Sequence, residues 1–240
     1  MKKLVLILAF IFSYNSAEAA ISIAALTGST SAVDGTSFTT ASITPTANAL
    51  VIAVVHGRRA SGDMPSPTLS GNGLTWVEIG NDDIGGNRQT AMFRAMVASP
   101  SAGAVTISYG AVTATECSWS ISEATGVDTG GTNGSAAVLQ FPTVTSGTST
   151  ESSITLSALG STGNVALGAV DWGANADATE GSGFTVIHSI KQAEVGRDLF
   201  TEYKLNETVV TSTQGGSVSW KAMAIEIKEA SVARRRVVTS

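Results

Sequence analysis

The sequence predicts an all-β protein, a jelly-roll-like antiparallel β-sandwich built from two similar strand series. Apolar and polar side chains alternate without interruption in residues 116–123, where Cys117, Trp119 and Ile121 are separated by serines. Such alternation is typical of a half-buried strand. About twelve short segments of this kind are spaced by turns rich in Gly, Asn, Asp and Ser, without a long helical periodicity. A second Ser-Trp segment, residues 217–227, indicates that the strand series occurs twice.

The two ends of the chain carry patterns of their own. A basic Met-Lys-Lys start, an apolar stretch at residues 4–12 and an Ala-Glu-Ala site at 17–19 predict a signal peptide over residues 1–19. The apolar stretch is shorter than the roughly 20 residues of a membrane-spanning helix. We therefore expect a secreted, extracellular or cell-surface protein, with the virion as the alternative location. Residues 230–240 contain three consecutive arginines and are predicted to form a basic flexible tail.

The composition fits a folded domain over residues 20–229. Hydrophobic residues make up 43% of the chain and charged residues only 14%, which is not the composition of a disordered protein. The net charge of −5 implies no basic face for nucleic acid. The lone Cys117 excludes an internal disulfide, and its alternation with Trp119 predicts a buried thiol.

The first strand series follows the predicted leader. Residues 49–55 are apolar on both faces, which predicts a central strand covered on both sides. The polar loop that follows contains Pro65 and Pro67, which exclude a regular helix there. The other predicted strands of this series are residues 21–26, 37–43, 74–79, 91–97, 104–109 and 116–123.

The second series begins after a glycine-rich seam near residues 126–134. Its predicted correspondences are 136–139 with 21–26, 153–156 with 42–44, 164–171 with 49–56, 183–187 with 73–77, 199–203 with the 91–97 segment, and Trp220 with Trp119. The short, proline-free seam favours a single sandwich in which the copies are related by a pseudo-twofold. The alternative is two consecutive small β-sandwiches of about a hundred residues each.

Three residues are candidates for ligand binding. His56 ends the predicted central strand, and Asp171 takes the corresponding place in the second series. These two side chains meet if the copies pack with those strand ends together. Trp172, beside Asp171 at a strand end, is the candidate for an exposed ring on which a sugar stacks. No Gly-x-Ser-x-Gly motif occurs, and we predict no catalytic residue and no enzymatic activity.

Metal sites have little support in the sequence. The acidic segments 81–83 and 175–180 offer the hard oxygen ligands that calcium takes, but neither matches an EF-hand loop. Acidic residues in surface turns are commonly turn formers. We therefore predict no cofactor, with calcium as the alternative. One cysteine and two histidines do not supply a zinc or iron–sulfur site.

Several strand-and-turn motifs resemble those of a broad family of β-sandwich proteins. The motifs are residues 47–54, 71–78, 93–95 with 101–107, and 117–119 with 126–128. This family occurs in tailed-phage and prophage sequences and among bacterial surface proteins, mostly without an assigned activity. The resemblance covers roughly residues 47–228 and implies a fold and a setting on the outside of a virion or cell.

These observations lead to an expected function. We expect a non-enzymatic structural or attachment module displayed on a virion or cell surface, and the alternative is a secreted carbohydrate-binding module. The expected partners are other copies of the chain, other surface or virion proteins, and glycans. Nucleic acid is not an expected partner, and no stable membrane span is expected after removal of the leader.

Overall fold

A computed structural model of the protein describes residues 20–82, 86–141, 144–193 and 196–231. The predicted signal peptide, residues 1–19, and residues 232–240 of the predicted tail lie outside this range. The described residues are nearly all β, with one turn of 3-10 helix at Ser135–Ala137, which confirms the predicted fold class. The strands are β1 (Ser22–Ser31), β2 (Ser37–Thr39), β3 (Leu50–Arg58), β4 (Thr68–Ser70), β5 (Val77–Asn81), β6 (Arg88–Ala95), β7 (Thr106–Ser108), β8 (Glu116–Thr125), β9 (Val138–Gln140), β10 (Thr145–Thr155), β11 (Val165–Trp172), β12 (Thr179–Glu180), β13 (Thr185–Gln192), β14 (Arg197–Leu205) and β15 (Val209–Ile227).

The strands form three antiparallel sheets that are not closed into a barrel. The first main sheet has the order β1-β8-β3-β6-β5, and a small sheet has the order β2-β7-β4. The second main sheet has the order β10-β15-β11-β14-β13, with β9 and β12 also paired to β15. No helix in the described part of the chain has the length and apolar character that crossing a bilayer requires.

The two main sheets repeat one topology. If the five strands of each sheet's main path are ranked by their position along the chain, their order across the sheet is first, fifth, second, fourth and third. This order is the same in both sheets. β3 therefore corresponds to β11, β5 to β13, β6 to β14 and β8 to β15, as the predicted strand correspondences require. The position of β1 is taken by β10, and not by the 136–139 segment that the sequence suggested.

A central core joins the two main sheets face to face. Leu50, Ile52 and Val54 of β3 contribute its first side, and Leu167 of β11 and Ile225 of β15 belong to the second. All five are buried, and each such side chain contributes about 1.5–3 kcal/mol on burial. The two strand series therefore share one hydrophobic core.

Each main sheet is covered on its outer face as well. The small sheet covers the first main sheet, so that Val51, Ala53 and Val55 of β3 pack in an outer core with Ile107 of β7. β3 is thus buried on both faces, which confirms the prediction of a central covered strand.

The outer face of the second main sheet is covered by a ribbon, which we define as β10 together with residues 209–219 of β15. A bulge between Ser149 and Glu151 interrupts the β10–β15 ladder. The start of β15 then crosses β11, since a Cβ placed at Gly168 would lie 2.3 Å from Val210 Cγ1. Val210 packs there with Trp172 in a second outer core.

Candidate functional site

His56 and Asp171 end two rows of side chains that face the central core. Alternation along β3 places His56 on the same face as Leu50, Ile52 and Val54. The same alternation along β11 places Asp171 on the face of that strand that is turned toward the central core. The structure brings the two residues together, with His56 Nδ1 3.7 Å from Asp171 Oδ1. The conditional contact that the sequence suggested is therefore present.

The imidazole of His56 lies in a closed environment. The residue is 1% exposed, and its Nδ1 is 3.0 Å from the hydroxyl of Thr90. Burial, assisted by the positive charges of Arg88, Lys221 and Arg58, lowers the pKa of His56 to about 3. At neutral pH the ring is therefore uncharged, and it acts as a hydrogen-bonding core residue.

Asp171 belongs to a buried ion pair. Its Oδ2 accepts a hydrogen bond from Arg197 Nη1 at 3.2 Å. Burial raises the pKa of Asp171 well above its usual range, and the nearby acids Asp82 and Glu116 add to that rise. Both partners are almost inaccessible to solvent, so removal of Asp171 would leave the guanidinium group of Arg197 buried without its acceptor.

A second ion pair joins the two main sheets nearby. Lys221 Nζ of β15 lies 3.1 Å from Asp82 Oδ2, at the end of β5. The other carboxylate oxygen of Asp82 accepts the backbone N–H of Thr90 at 2.7 Å. Burial raises the pKa of Asp82, while Thr90 and Lys221 oppose that rise. Asp82 thus points inward between the sheets.

Three further charges complete this end of the interface. Arg58 of β3 is directly opposite Glu116 on one neighbouring strand, β8, and directly opposite Arg88 on the other, β6. Glu116 is fully buried and has no hydrogen-bond partner. Burial raises the pKa of Glu116 to about 7, against the attraction of Arg58 and Arg88. The direct opposition of two arginines across neighbouring strands is unfavourable by itself.

We call this group of eight residues the charged end: His56, Arg58, Asp82, Arg88, Glu116, Asp171, Arg197 and Lys221. It opens to solvent through a cavity of about 330 Å³. Four charged residues line the cavity, namely Arg88, Asp171, Arg197 and Lys221. The other lining residues belong to the ribbon and β15, and these are Ser146, Gly147, Thr148, Ser219 and Trp220.

Trp172 does not take part in this site as expected. Its side chain is 0% exposed and packs in the outer core of the second main sheet, so the prediction of an exposed ring is wrong. The ribbon covers the face of β11 on which Trp172 lies. The partly exposed ring beside the cavity is Trp220, whose centroid is 6.5 Å from that of Trp172 and whose Nε1 donates to Ser149 Oγ.

The second histidine forms a separate polar bridge between the sheets. Ser120 Oγ of β8 is 2.8 Å from His188 Nδ1 of β13 and 2.9 Å from Thr201 Oγ1 of β14. Ser120 is 3% exposed, and burial lowers the pKa of His188. The serine and the histidine are therefore hydrogen-bonded to each other inside the interface, where their role is to join the main sheets.

The two acidic segments considered for calcium differ in their surroundings. Asp82 is engaged with Lys221 and Thr90, whereas Asp83 lies outside the described residues. In the 175–180 segment, Asp177 forms an ion pair with Lys191. Among the residues that the structure describes, no three His, Cys, Asp or Glu side chains cluster in a way that could hold a metal ion.

The cationic groups of the cavity were missed by sequence reasoning, although a signal for them exists. Each of these cationic residues is separated by an even number of positions from a core-facing residue on its own strand. The pairs are Arg88 with Met92, Arg197 with Leu199, and Lys221 with Met223. Strand parity therefore places all three on the inner faces.

Comparisons with protein-family models, with curated proteins and with solved structures found no match.

Proposed function

We propose that the protein is a non-enzymatic structural or attachment module displayed on the surface of a virion or cell. The observation that supports this function is the ribbon, an antiparallel ladder whose outward side chains are mostly hydroxyls. Ser146, Thr148 and Thr150 of β10 and Ser217 and Ser219 of β15 are all exposed there. Hydroxyls both donate and accept hydrogen bonds, which suits adhesion to polar surfaces.

The environment of the histidines supports a binding function over a catalytic one. A general base must come within hydrogen-bond distance of the proton that it removes from a substrate. His56 is sealed between the main sheets with a pKa lowered to about 3, and His188 is hydrogen-bonded to Ser120 in the same interface. Their polar atoms serve contacts between the two halves of the molecule.

The attachment function is tested by changing the ribbon and measuring adhesion of the full chain to whole cells and to a glycan array. We expect Ser146→Lys with Thr148→Lys to reduce adhesion at least tenfold, because two long charged side chains replace the hydroxyls at the binding face. Ser37→Lys with Thr39→Lys is the matched control, since these residues are also two apart and exposed, on β2 of the small sheet.

Two results would contradict the attachment function. One is adhesion that is lost equally in the ribbon variant and in the β2 control. The other is hydrolytic turnover by the unmodified protein that disappears in His56→Asn or Asp171→Asn, with circular dichroism showing that these variants remain folded.

A secreted carbohydrate-binding module is the second candidate function. The cavity at the charged end combines an aromatic ring, Trp220, with the hydroxyls of Ser146, Thr148 and Ser219. Sugar sites commonly combine a flat apolar surface with a few convergent polar groups. Carbohydrate binding is consistent with adhesion, since surface glycans are polar and rich in hydroxyls.

A further inference from the structure

The cavity at the charged end has an excess of positive charge. With His56 neutral, the charged end has four cationic groups (Arg58, Arg88, Arg197 and Lys221) and three carboxyl groups (Asp82, Glu116 and Asp171). The whole chain, in contrast, has a net charge of −5. An anion is therefore attracted to this end of a molecule that is otherwise acidic.

Arg88 is the cationic group that remains available for a ligand. Arg197 is bound to Asp171 and Lys221 is paired with Asp82, whereas Arg88 has no carboxylate within 4 Å among the described residues. Arg88 lies on the cavity wall and directly opposite Arg58 in the β3–β6 register. A bound anion would offset the repulsion between these two guanidinium groups.

The buried acid beside Arg88 makes no side-chain hydrogen bond to it. Glu116 is 0% exposed, and both of its carboxylate oxygens lack a hydrogen-bond partner, although Arg58 and Arg88 lie close enough to influence it. Glu116 therefore does not pair with the guanidinium group of Arg88. The planar fork of an arginine binds a carboxylate through two parallel hydrogen bonds.

The uncharged part of the cavity lining fits a sugar ring. Trp220 is held in place by its hydrogen bond to Ser149 and by contact with Gly147, where a Cβ would lie 2.8 Å from Trp220 Cζ2. Ser146, Thr148 and Ser219 line the same cavity as this ring. A volume of about 330 Å³ is at the lower end of the range for small-molecule pockets, about 300–1,000 Å³, and therefore suits one or two sugar units.

We propose that this cavity binds an acidic saccharide, with the sugar carboxylate at Arg88 and the ring beside Trp220. This inference rests on the carbohydrate-binding candidate and specifies its ligand class. The specificity arises because a neutral sugar leaves the guanidinium group unpaired, whereas a simple anion has no ring to place beside Trp220.

The test is isothermal titration calorimetry of the full chain with methyl glucuronide, methyl glucoside and acetate. We expect binding of the glucuronide at least tenfold tighter than that of either comparison compound. Arg88→Gln should weaken glucuronide binding about 10- to 100-fold, as loss of hydrogen bonds to a charged group predicts. Arg94→Gln is the matched control, because it removes the same charge from the same strand at a residue that lines a different cavity.

The outcomes separate this inference from the function on which it rests. Equal affinity for methyl glucoside and methyl glucuronide would contradict the acidic specificity and leave carbohydrate binding standing. Equal affinity for acetate and the glucuronide would contradict a saccharide ligand. An equal loss of affinity in Arg88→Gln and Arg94→Gln would contradict the placement of the carboxylate at Arg88. Failure of all three compounds to bind at millimolar concentration would contradict both the inference and a carbohydrate site in this cavity.

Discussion

Glu116 is a carboxyl group that is enclosed by protein without a hydrogen bond. Burial raises its pKa to about 7, whereas an unfolded chain leaves it near its ordinary value of 4.5. Between these two pH values the folded protein binds more protons than the unfolded chain does. The free energy of unfolding therefore decreases as the pH rises through this window.

We expect Glu116→Gln to remove this pH dependence. Relative to the unmodified protein, the variant should gain about 2–3 kcal/mol of unfolding free energy between pH 5 and pH 8, because the amide keeps the shape of the carboxyl group and cannot ionise. Urea denaturation at several pH values measures the difference.

Asp128→Asn is the control for this experiment. A hydrogen bond from Lys228 lowers the pKa of Asp128, so this carboxyl group is ionised in the folded and unfolded states throughout that range. Its effect on stability should be the same at pH 5 and pH 8. A stability difference for Glu116→Gln that does not change with pH would contradict the assignment.

Cys117 illustrates what strand parity predicts for a single residue. Alternation with Trp119 and Ile121 predicted a buried thiol, and the structure confirms it, with Cys117 at 0% exposure in the outer core under the small sheet. Burial raises the pKa of the thiol to about 12. The same parity rule predicts the inward direction of Arg88 and Lys221, but parity does not reveal which outer layer covers a strand. For that reason the burial of Trp172 was not predicted.

At the scale of strands, segments with an apolar pattern were predicted and those without one were not. β3 and β11 have continuous apolar sequences, and their central positions follow from that pattern. β10, in contrast, consists almost entirely of Ser, Thr and Gly, and only its end, residues 153–155, was predicted as strand. Its remaining residues form a strand because they pair with β15, and a single-sequence pattern does not report such long-range pairing.

The packing of the ribbon on β11 depends on Gly168. We expect Gly168→Ala to reduce the free energy of unfolding by about 1–3 kcal/mol, because the added Cβ would overlap Val210 and displace the ribbon from the outer core. Urea denaturation monitored by tryptophan fluorescence measures the change, since Trp172 and Trp220 lie under and beside the ribbon.

Two further variants isolate the contact between Gly168 and Val210. Gly216→Ala is the control, because no atom lies within 4 Å of the position that its Cβ would take, and its effect should stay within about 0.5 kcal/mol. Adding Val210→Ala to Gly168→Ala should cost less than the sum of the single changes, since space is restored. Strict additivity would show that the ribbon does not rest on Gly168.

At the scale of the whole molecule, the shared central core links the two strand series. Separation of the main sheets would expose apolar side chains from both, among them Ile52, Leu167 and Ile225. The two series are therefore expected to unfold as one cooperative unit. Similarity between them was visible in the sequence, whereas the contact between their inner faces was not, because it depends on which of two equally apolar faces of β3 meets β11.

Leu167→Ala tests this cooperativity by hydrogen exchange and mass spectrometry. The change should destabilise the central core by about 2–5 kcal/mol. If unfolding is cooperative, amides of β3 in the other strand series should exchange about 30-fold faster or more. Leu205→Ala, at an exposed position of β14, should leave that exchange unchanged. Faster exchange confined to the second main sheet would contradict a single unit.

The ion pair between Asp82 and Lys221, which crosses between the main sheets, has a consequence for how copies of the chain can associate. Because the two sheets share one topology, an alternative dimer would pack the inner face of one main sheet against the same face of the same sheet in a neighbouring chain. In such a dimer Asp82 would lose its contact with Lys221, and its carboxylate would be buried in the interface without a counter-charge. The pair between Asp82 and Lys221 therefore disfavours the packing of like sheets and favours contact between a first and a second main sheet.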